Sequence, residues 1–375
     1  MAAIGIIFSN IHDHTVPELT RGRTMASIPF GGRYRLIDFV LSTMVNAGVE
    51  TIGVITKTNY QSLMNHIGRG KDWDLDRKTG GLMVLPPFGH VDNNALYTNR
   101  LEALKGILGI LRKSAEQYVV MADCDILANF DLAAALQQHA QSGADLTVIY
   151  KKTALERESK RINKLLKLDE NGRIRDIAMY QGAQGEVSLS MDIWIVGREY
   201  LLGIVEDAIA HGYSSLTKDV LAPNLDTVHV QGFEHTGYYC CIDSMEAYME
   251  GNLKLLDRTV RRELFDTEDR PIFTKVKDSP PTKYGSEASV KNSMVADGCV
   301  IEGTVENSVL FRGVKIGRNT VVRNSVLMQD AVTGDNVSLN YVVTDKRVVI
   351  KDGRTLSGYA THPFFINKDS LICKR

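Results

Sequence analysis

Through the first 256 residues, short apolar runs alternate with longer stretches whose apolar positions recur three and four apart. The runs Ala3–Phe8, Thr51–Thr56, Tyr118–Ala122 and Leu146–Tyr150 are the kind that form strands buried on both faces. Between them, residues 35–46 place Leu36, Phe39, Val40 and Val45 at helical spacing, and Gly48 supplies a stop. Residues 101–111 and 132–139 read the same way. Further strands are expected at 174–180, 189–196 and 228–241, and further helices at 200–211 and 244–256. This β-α-β order predicts an α/β, Rossmann-like domain with a mostly parallel mixed sheet covered on both faces.

Residues 257–287 break the pattern. They are polar and hold Pro271, Pro280, Pro281 and Gly285, so they read as a linker. From 288 to 375 the period changes again. Valine recurs every five or six residues, as at Val290, Val295, Val300 and Val305, and Asn-Ser recurs at Asn292, Asn307 and Asn324, with Asn340 continuing the series. One small apolar residue per flat face and three faces per coil give a repeat of this length, the hexapeptide signature of a parallel β-helix. A Val-rich antiparallel sheet is the competing reading, but hairpin signals are few. The boundaries are therefore 1–256, 257–287 and 288–375. The first unit is expected to fold without the last, and the coil stack to serve assembly.

Bulk composition narrows the function classes. The 375 residues are 44% hydrophobic and 24% charged with a formal net charge of −1, which leaves no global field for nucleic acid or a membrane surface. Five cysteines without framework spacing read as reduced thiols in a cytoplasmic protein. The opening Met-Ala-Ala-Ile-Gly lacks the basic start of a signal peptide, and no apolar run approaches the ~18 residues of a membrane span.

Candidate chemistry begins with an absence. After the first strand the chain reads Ser9-Asn-Ile-His-Asp-His-Thr, with no glycine. A backbone that approaches a triphosphate closely needs glycine, because a Cβ blocks the approach and glycine alone takes positive φ cheaply. His12, Asp13 and His14 are adjacent in a loop, an arrangement that seldom converges on one metal ion, and none is expected there. Arg21, Arg23, Arg33 and Arg35 form a basic cluster, either a solvated face or an anion site, since a guanidinium matches phosphate geometry.

Four features then combine: Pro29-Phe-Gly-Gly-Arg-Tyr-Arg-Leu-Ile-Asp-Phe-Val-Leu-Ser; Leu189-Ser-Met-Asp-Ile-Trp-Ile-Val; Gly237-Tyr-Tyr followed by Glu246-Ala-Tyr-Met-Glu-Gly-Asn-Leu; and the hexapeptide repeat. Over nearly its full length the chain resembles the bacterial glucose-1-phosphate adenylyltransferases (ADP-glucose pyrophosphorylases). The resemblance implies a nucleotidyltransferase domain joined to a left-handed β-helix. It also implies a reaction in which glucose 1-phosphate attacks the α-phosphorus of ATP. Such a site holds Mg²⁺ on carboxylates and places cations on the spreading charge.

Position by position, that chemistry is replaced. Met25 stands where the family has a basic residue. Asp123 and Asp125 flank the family's metal position, and either could be the ligand. Cys241 stands at the second metal aspartate, with Asp243 two residues on and expected on the same strand face. Tyr180-Gln-Gly-Ala replaces the Glu-Lys-Pro that holds the sugar phosphate, and Ser215-Leu-Thr-Lys-Asp replaces Asp-Phe-Gly-Lys-Asp. This loss pattern resembles the family's non-catalytic, regulatory (GlgD-type) subunits.

That likeness implies impaired catalysis, no cofactor held by this chain alone, and Mg²⁺ serving only a partner's reaction in glycogen biosynthesis. It implies a hetero-oligomer, a tetramer, with a catalytic subunit, or a homo-oligomer when alone. It further implies anionic effectors, sugar phosphates or phosphate, near the domain junction, with Arg23, Arg33, Arg35, Arg312, Lys315 and Arg318 as the candidate contacts. An active sugar-phosphate nucleotidyltransferase with a rebuilt loop stays open as the alternative. An acyltransferase on the coil stack would need a general-base histidine, and residues 288–350 contain none.

Overall fold

The computed structural model describes residues 2–87, 97–155, 161–180 and 185–373. Its main sheet has nine strands: β1 (Ala3–Phe8), β2 (Thr51–Ile55), β3 (Gly81–Leu85), β4 (Tyr118–Asp123), β5 (Leu146–Leu155), β6 (Asn163–Leu168), β7 (Ile174–Tyr180), β8 (Gly185–Gly197) and β9 (Val230–Glu234). The order is β7-β6-β8-β4-β1-β2-β3, with β5 paired to β8 and β9 to β5. Strands β4, β1, β2 and β3 are parallel, while β8 runs antiparallel to β4 and β5. Ile4, Ile6 and Phe8 face one core and Ala3 and Ile7 the other, which is why β1 has no polar face. Phe8 lies beside both Asp123 and Ile55, so the parallel strands end together and open a crevice at their carboxyl edge.

Two expected elements are divided. Only Val230–Glu234 of the run 228–241 joins the main sheet. Thr236 and Gly237 break the strand, and Cys240–Cys241 pairs instead with Ile126–Leu127 in a separate two-stranded sheet. Residues 101–111 form two helices, Arg100–Lys105 and Leu108–Lys113, parted at Gly106. The segment read as a linker is structured at both ends. It begins with helix Arg258–Phe265, capped by Asp257 and burying Leu264, and its Lys283–Tyr284 already pairs with Val300–Ile301.

The remainder is a left-handed parallel β-helix of three sheets with six, five and five strands. The Asn-Ser repeat has a physical reason. Asn292, Asn307 and Asn324 turn successive corners of one edge at φ of 41°, 46° and 46°, a region asparagine tolerates better than most residues, while Asn340, expected to continue the series, ends a strand and Tyr341 takes the corner at 52°. Ser293 and Ser308 each accept the serine N–H of the next coil at 3.1 Å.

The two units share a core. Val309, Phe311, Val326, Met328 and Val343 of the β-helix cluster with Phe30, Leu36, Phe39, Tyr248 and Leu255. The turn at Gly31 and Gly32 (φ 58° and 82°) sits in this junction, and a Cβ on Gly31 would lie 2.9 Å from Leu255. Gly31 N–H donates to Asn252 (2.9 Å) and the Tyr248 hydroxyl to the Pro29 carbonyl (2.8 Å). The most specific motif in the sequence is therefore a joint between units. The coil stack completes an apolar face of residues 1–256, which bears against the expectation that this unit folds alone.

Candidate functional site

The loop after β1 is fastened by side chains. Ser9 Oγ donates to the Ile55 carbonyl (2.8 Å), and Asn10 Oδ1 accepts the Lys57 N–H (2.9 Å). The Asp13 carboxylate accepts from the Met25 N–H (2.8 Å) and from Asn10 Nδ2 (2.5 Å). Burial raises the Asp13 carboxyl to about 6 despite these bonds. A 3₁₀ turn, Asp13–Thr15, and a short helix, Pro17–Thr20, fill the run, and none of residues 9–27 takes a positive φ. A phosphate nest needs successive N–H groups from right- and left-handed residues, and this loop offers no left-handed one. The cavity beside it, lined by Asn10, Asp13, His14, Lys57 and Tyr97, holds about 220 Å³. Ligand pockets usually hold roughly 300–1,000 Å³. A larger groove of about 1040 Å³ lies elsewhere, between helix Met245–Lys254 and the asparagine corner of the β-helix.

At the crevice, three buried carboxylates converge. Asp123 ends β4, and Asp125 follows it. Asp192 lies on β8, where the register with β5 slips between Ser190 and Ile193 and Asp192 takes a φ of 56°. Such a bulge re-aims a side chain. Arg100 donates to Asp123 through Nε (3.2 Å) and Nη2 (2.5 Å), and its Nη1 lies 3.3 Å from Asp192. Its guanidinium stacks near Phe8 and Trp194, at 5.6 and 5.4 Å from the ring centres. Arg161 donates to Asp125 (2.5 Å), contacts Asp192 and lies 3.8 Å from Asp123. Lys164 pairs with Asp192, and His12 Nε2 lies 2.8 Å from Asp123 and 3.8 Å from Asp125.

The electrostatics follow from this packing. Burial alone would raise the Asp123 carboxyl, but Arg100, His12 and Arg161 hold it far below the usual carboxylate range. Burial, aided by Arg100 and Arg161, pushes the Lys164 amine well down. Burial and then Asp125 push the Cys241 thiol well up, so it is held as a thiol.

The implied Mg²⁺ does not fit these residues. His12, Asp123 and Asp192 do place ligand atoms within 4.8 Å of one another. Arg100, however, contacts both aspartates of that set, and Arg161 reaches all three carboxylates. Mg²⁺ requires near-octahedral oxygen ligands at ~2.0–2.1 Å. Guanidinium groups among the same oxygens oppose it by volume and by charge.

The other expected site residues are placed as follows. Met25 is buried with Val16, Leu19 and Phe30 in the junction core. Cys241 Sγ lies 3.5 Å from Arg161 Nη1 and 3.8 Å from Asp125. Strand pairing stops at Cys241, so Asp243 does not share a continuing strand face with it. Asp243 is buried in the turn before Ser244, which caps helix Met245–Lys254. Residues 181–183, read as the lost sugar-phosphate contact, lie outside the described residues. Ser215 caps the helical turn Leu216–Leu221.

The six basic residues do not form one cluster. Arg23 is buried in a bidentate pair with Asp345 (2.7 and 2.8 Å) that ties the two units together. Arg35 donates to Ser62, with burial lowering it to about 10. Arg33 is exposed beside the Tyr34 ring. Arg312 pairs with Asp297 at 3.0 Å and acts on Tyr34 from the β-helix side. Lys315 points outward from another sheet, and Arg318 lies 3.7 Å from Glu302. The structure adds Lys277 and Lys346 near Arg35. Burial, then Arg35 and Arg23, lower Lys346 to about 6.

Sequence reasoning missed Arg100, Arg161, Lys164, Asp192 and the role of His12. Asp192 stood within a recognised stretch, but the bulge that aims it has no local signal.

Comparison with known proteins agrees with this architecture. Residues 16–178 match the nucleotidyl transferase family and residues 280–360 the GlmU-like C-terminal hexapeptide family. The glycogen biosynthesis protein GlgD of Bacillus subtilis (strain 168) is 32% identical over 365 residues, 97% of this chain and 95% of that protein. GlgD of Geobacillus stearothermophilus is 37% identical over 319 residues, 85% and 82% of the two chains. A glucose-1-phosphate adenylyltransferase of Bacillus cereus is 31% identical over 342 residues, 89% of each.

Proposed function

The chain belongs to the family of GlgD proteins and glucose-1-phosphate adenylyltransferases, and from that premise we propose that it is a regulatory, catalytically impaired subunit working beside a catalytic adenylyltransferase subunit. Its role lies in glycogen biosynthesis, as the names of its relatives indicate. The reaction served is ADP-glucose formation from ATP and glucose 1-phosphate. The observation that carries this reading is the ion network. Asp123, Asp125 and Asp192 are bonded to Arg100, Arg161, Lys164 and His12, leaving the carboxylates committed within the chain. The loop after β1 adds a second deficit, having no glycine in the run Ser9–Thr15 and no left-handed residue for phosphate anywhere in residues 9–27. Loss of one charge-stabilising donor typically costs ~10²–10³ in rate, and here several positions are altered together.

Regulation, in this reading, runs through the junction between the units. Arg33, Arg35, Lys277 and Arg312 bring positive charge there from both sides, and burial with Arg35 and Arg23 keeps Lys346 from holding its proton above about 6. A phosphate or sugar phosphate would offset their mutual repulsion and favour one packing of the two units, which is the differential binding that regulation requires. The faces of the β-helix would contact the catalytic subunit in a cytoplasmic hetero-oligomer. The test is pyrophosphate release with ATP, glucose 1-phosphate and Mg²⁺, measured for this chain alone, for a catalytic subunit alone and for the pair. Negligible turnover alone, with altered activity or effector response in the pair, is expected. Turnover by the lone chain at the catalytic subunit's rate would refute the reading.

A further inference from the structure

We infer that Arg100 and Arg161 are built-in replacements for a divalent cation: they hold the crevice together without metal, and removing Arg161 would uncover a cation site made of His12, Asp123, Asp125 and Asp192. This extends the proposed loss of catalysis to the physical state of the pocket. It can fail while that loss stands.

Three places deliver the carboxylates: the end of β4 for Asp123, the bend between β4 and Ile126–Leu127 for Asp125, and the bulge in β8 for Asp192. All three side chains are nearly inaccessible, at 1–3% exposure. Buried carboxylates without counter-charge are strongly destabilising. A guanidinium is planar and always charged, and it carries five donors, so one group can bridge two carboxylates as a divalent ion would. Both arginines do this. Arg100 joins Asp123 to Asp192, and Arg161 joins Asp125 to Asp192. Arg100 is held in place by Phe8 and Trp194, on two neighbouring parts of the sheet. Arg161 comes from the chain just before β6; without it the three carboxylates keep, among the described residues, only Arg100 and Lys164 as basic partners beside His12, a deficit of positive charge beside oxygens of Asp125 and Asp192, with His12 Nε2 3.8 Å from Asp125. Carboxylate oxygens with one imidazole nitrogen suit Mn²⁺.

The experiment compares the full-length chain with its Arg161→Ala variant. Melting temperature is followed with Mn²⁺, Mg²⁺ or EDTA, and Mn²⁺ uptake is read from the loss of the free-ion EPR signal. The wild-type chain is expected to take up no Mn²⁺ at this site and to melt at the same temperature in all three conditions. Arg161→Ala is expected to melt roughly 5–10 °C lower in EDTA, to bind about one Mn²⁺ per chain and to regain part of the loss by mass action. Adding Asp192→Asn to that variant should remove the uptake. Should Arg161→Ala fail to fold in EDTA, its refolding yield with Mn²⁺ reads the same property, and recovery only with metal supports the inference. Stoichiometric Mn²⁺ binding by the wild-type chain that Asp192→Asn abolishes would overturn it. So would an Arg161→Ala variant indifferent to Mn²⁺, folded or refolding. Pyrophosphate release by the lone chain would count against the regulatory reading and leave the Mn²⁺ result to decide this one.

Discussion

Asp13 closes the loop after β1 through its bonds to Met25 and Asn10, yet burial raises its carboxyl from 3.8 to about 6. The unfolded chain releases this proton near pH 4, while the folded chain keeps it to about 6. Stability therefore falls as pH rises between those values, and the loss is complete above 6. Asp13→Asn keeps an oxygen for the Met25 N–H and removes the titration. The variant should gain about 1–3 kcal/mol over wild type at pH 7.5 and nothing at pH 4, by urea unfolding. An equal difference at both pH values would mean that Asp13 is not held protonated. At this scale the chemistry of a single side chain was legible and its partners were not. Met25 and Cys241 could be read as unable to hold a phosphate or Mg²⁺, because a thioether or thiol announces its own chemistry. The role of Arg100 and Arg161 could not be read, because it arises only when β4, β8 and the chain before β6 come together.

Among elements, the hexapeptide repeat was legible because its period is a physical consequence of the coil, with asparagine at three successive left-handed corners of one edge and serine accepting from the next coil; the fourth corner belongs to Tyr341 and not to Asn340, which ends a strand. The run 228–241 was misread because strand-forming residues lie on both sides of a break at Thr236 and Gly237, and periodicity does not see which sheet each half joins. The basic residues show the same limit. Sequence proximity grouped Arg23 with Arg33 and Arg35, but Arg23 is consumed by Asp345, while Lys277 and Lys346 arrive from elsewhere. Burial, Arg35 and Arg23 together hold Lys346 at about 6. Its unfolded state binds a proton below about 10.5, so stability declines as pH falls from that value toward 6. An anion at this junction should therefore raise the melting temperature at neutral pH. Phosphate is expected to do so beyond chloride of equal ionic strength, and Lys346→Met to weaken the effect. Equal shifts for phosphate and chloride, or an undiminished phosphate shift in the variant, would place any anion binding elsewhere.

For the whole molecule, the two-part architecture was readable from the change of period near residue 288, but the shared core was not, because hydrophobic residues do not declare which unit covers them. Phe30, Leu36, Phe39 and Tyr248 pack directly into the cluster that includes Phe311 and Met328. A fragment of residues 1–256 should accordingly expose this face, bind a hydrophobic dye and lose cooperative unfolding. A fragment that melts cooperatively at the full chain's temperature would show that the units are separable. In the proposed hetero-oligomer, the same joint is the path by which an effector signal would pass from the coil stack to a catalytic subunit. Whether the crevice holds its own cations and not a nucleotide and metal is decided by pyrophosphate release from the purified chain with ATP, glucose 1-phosphate and Mg²⁺. The chain alone is expected to release none above the uncatalysed background, whereas steady release that saturates with both substrates would show that the crevice takes nucleotide and metal after all.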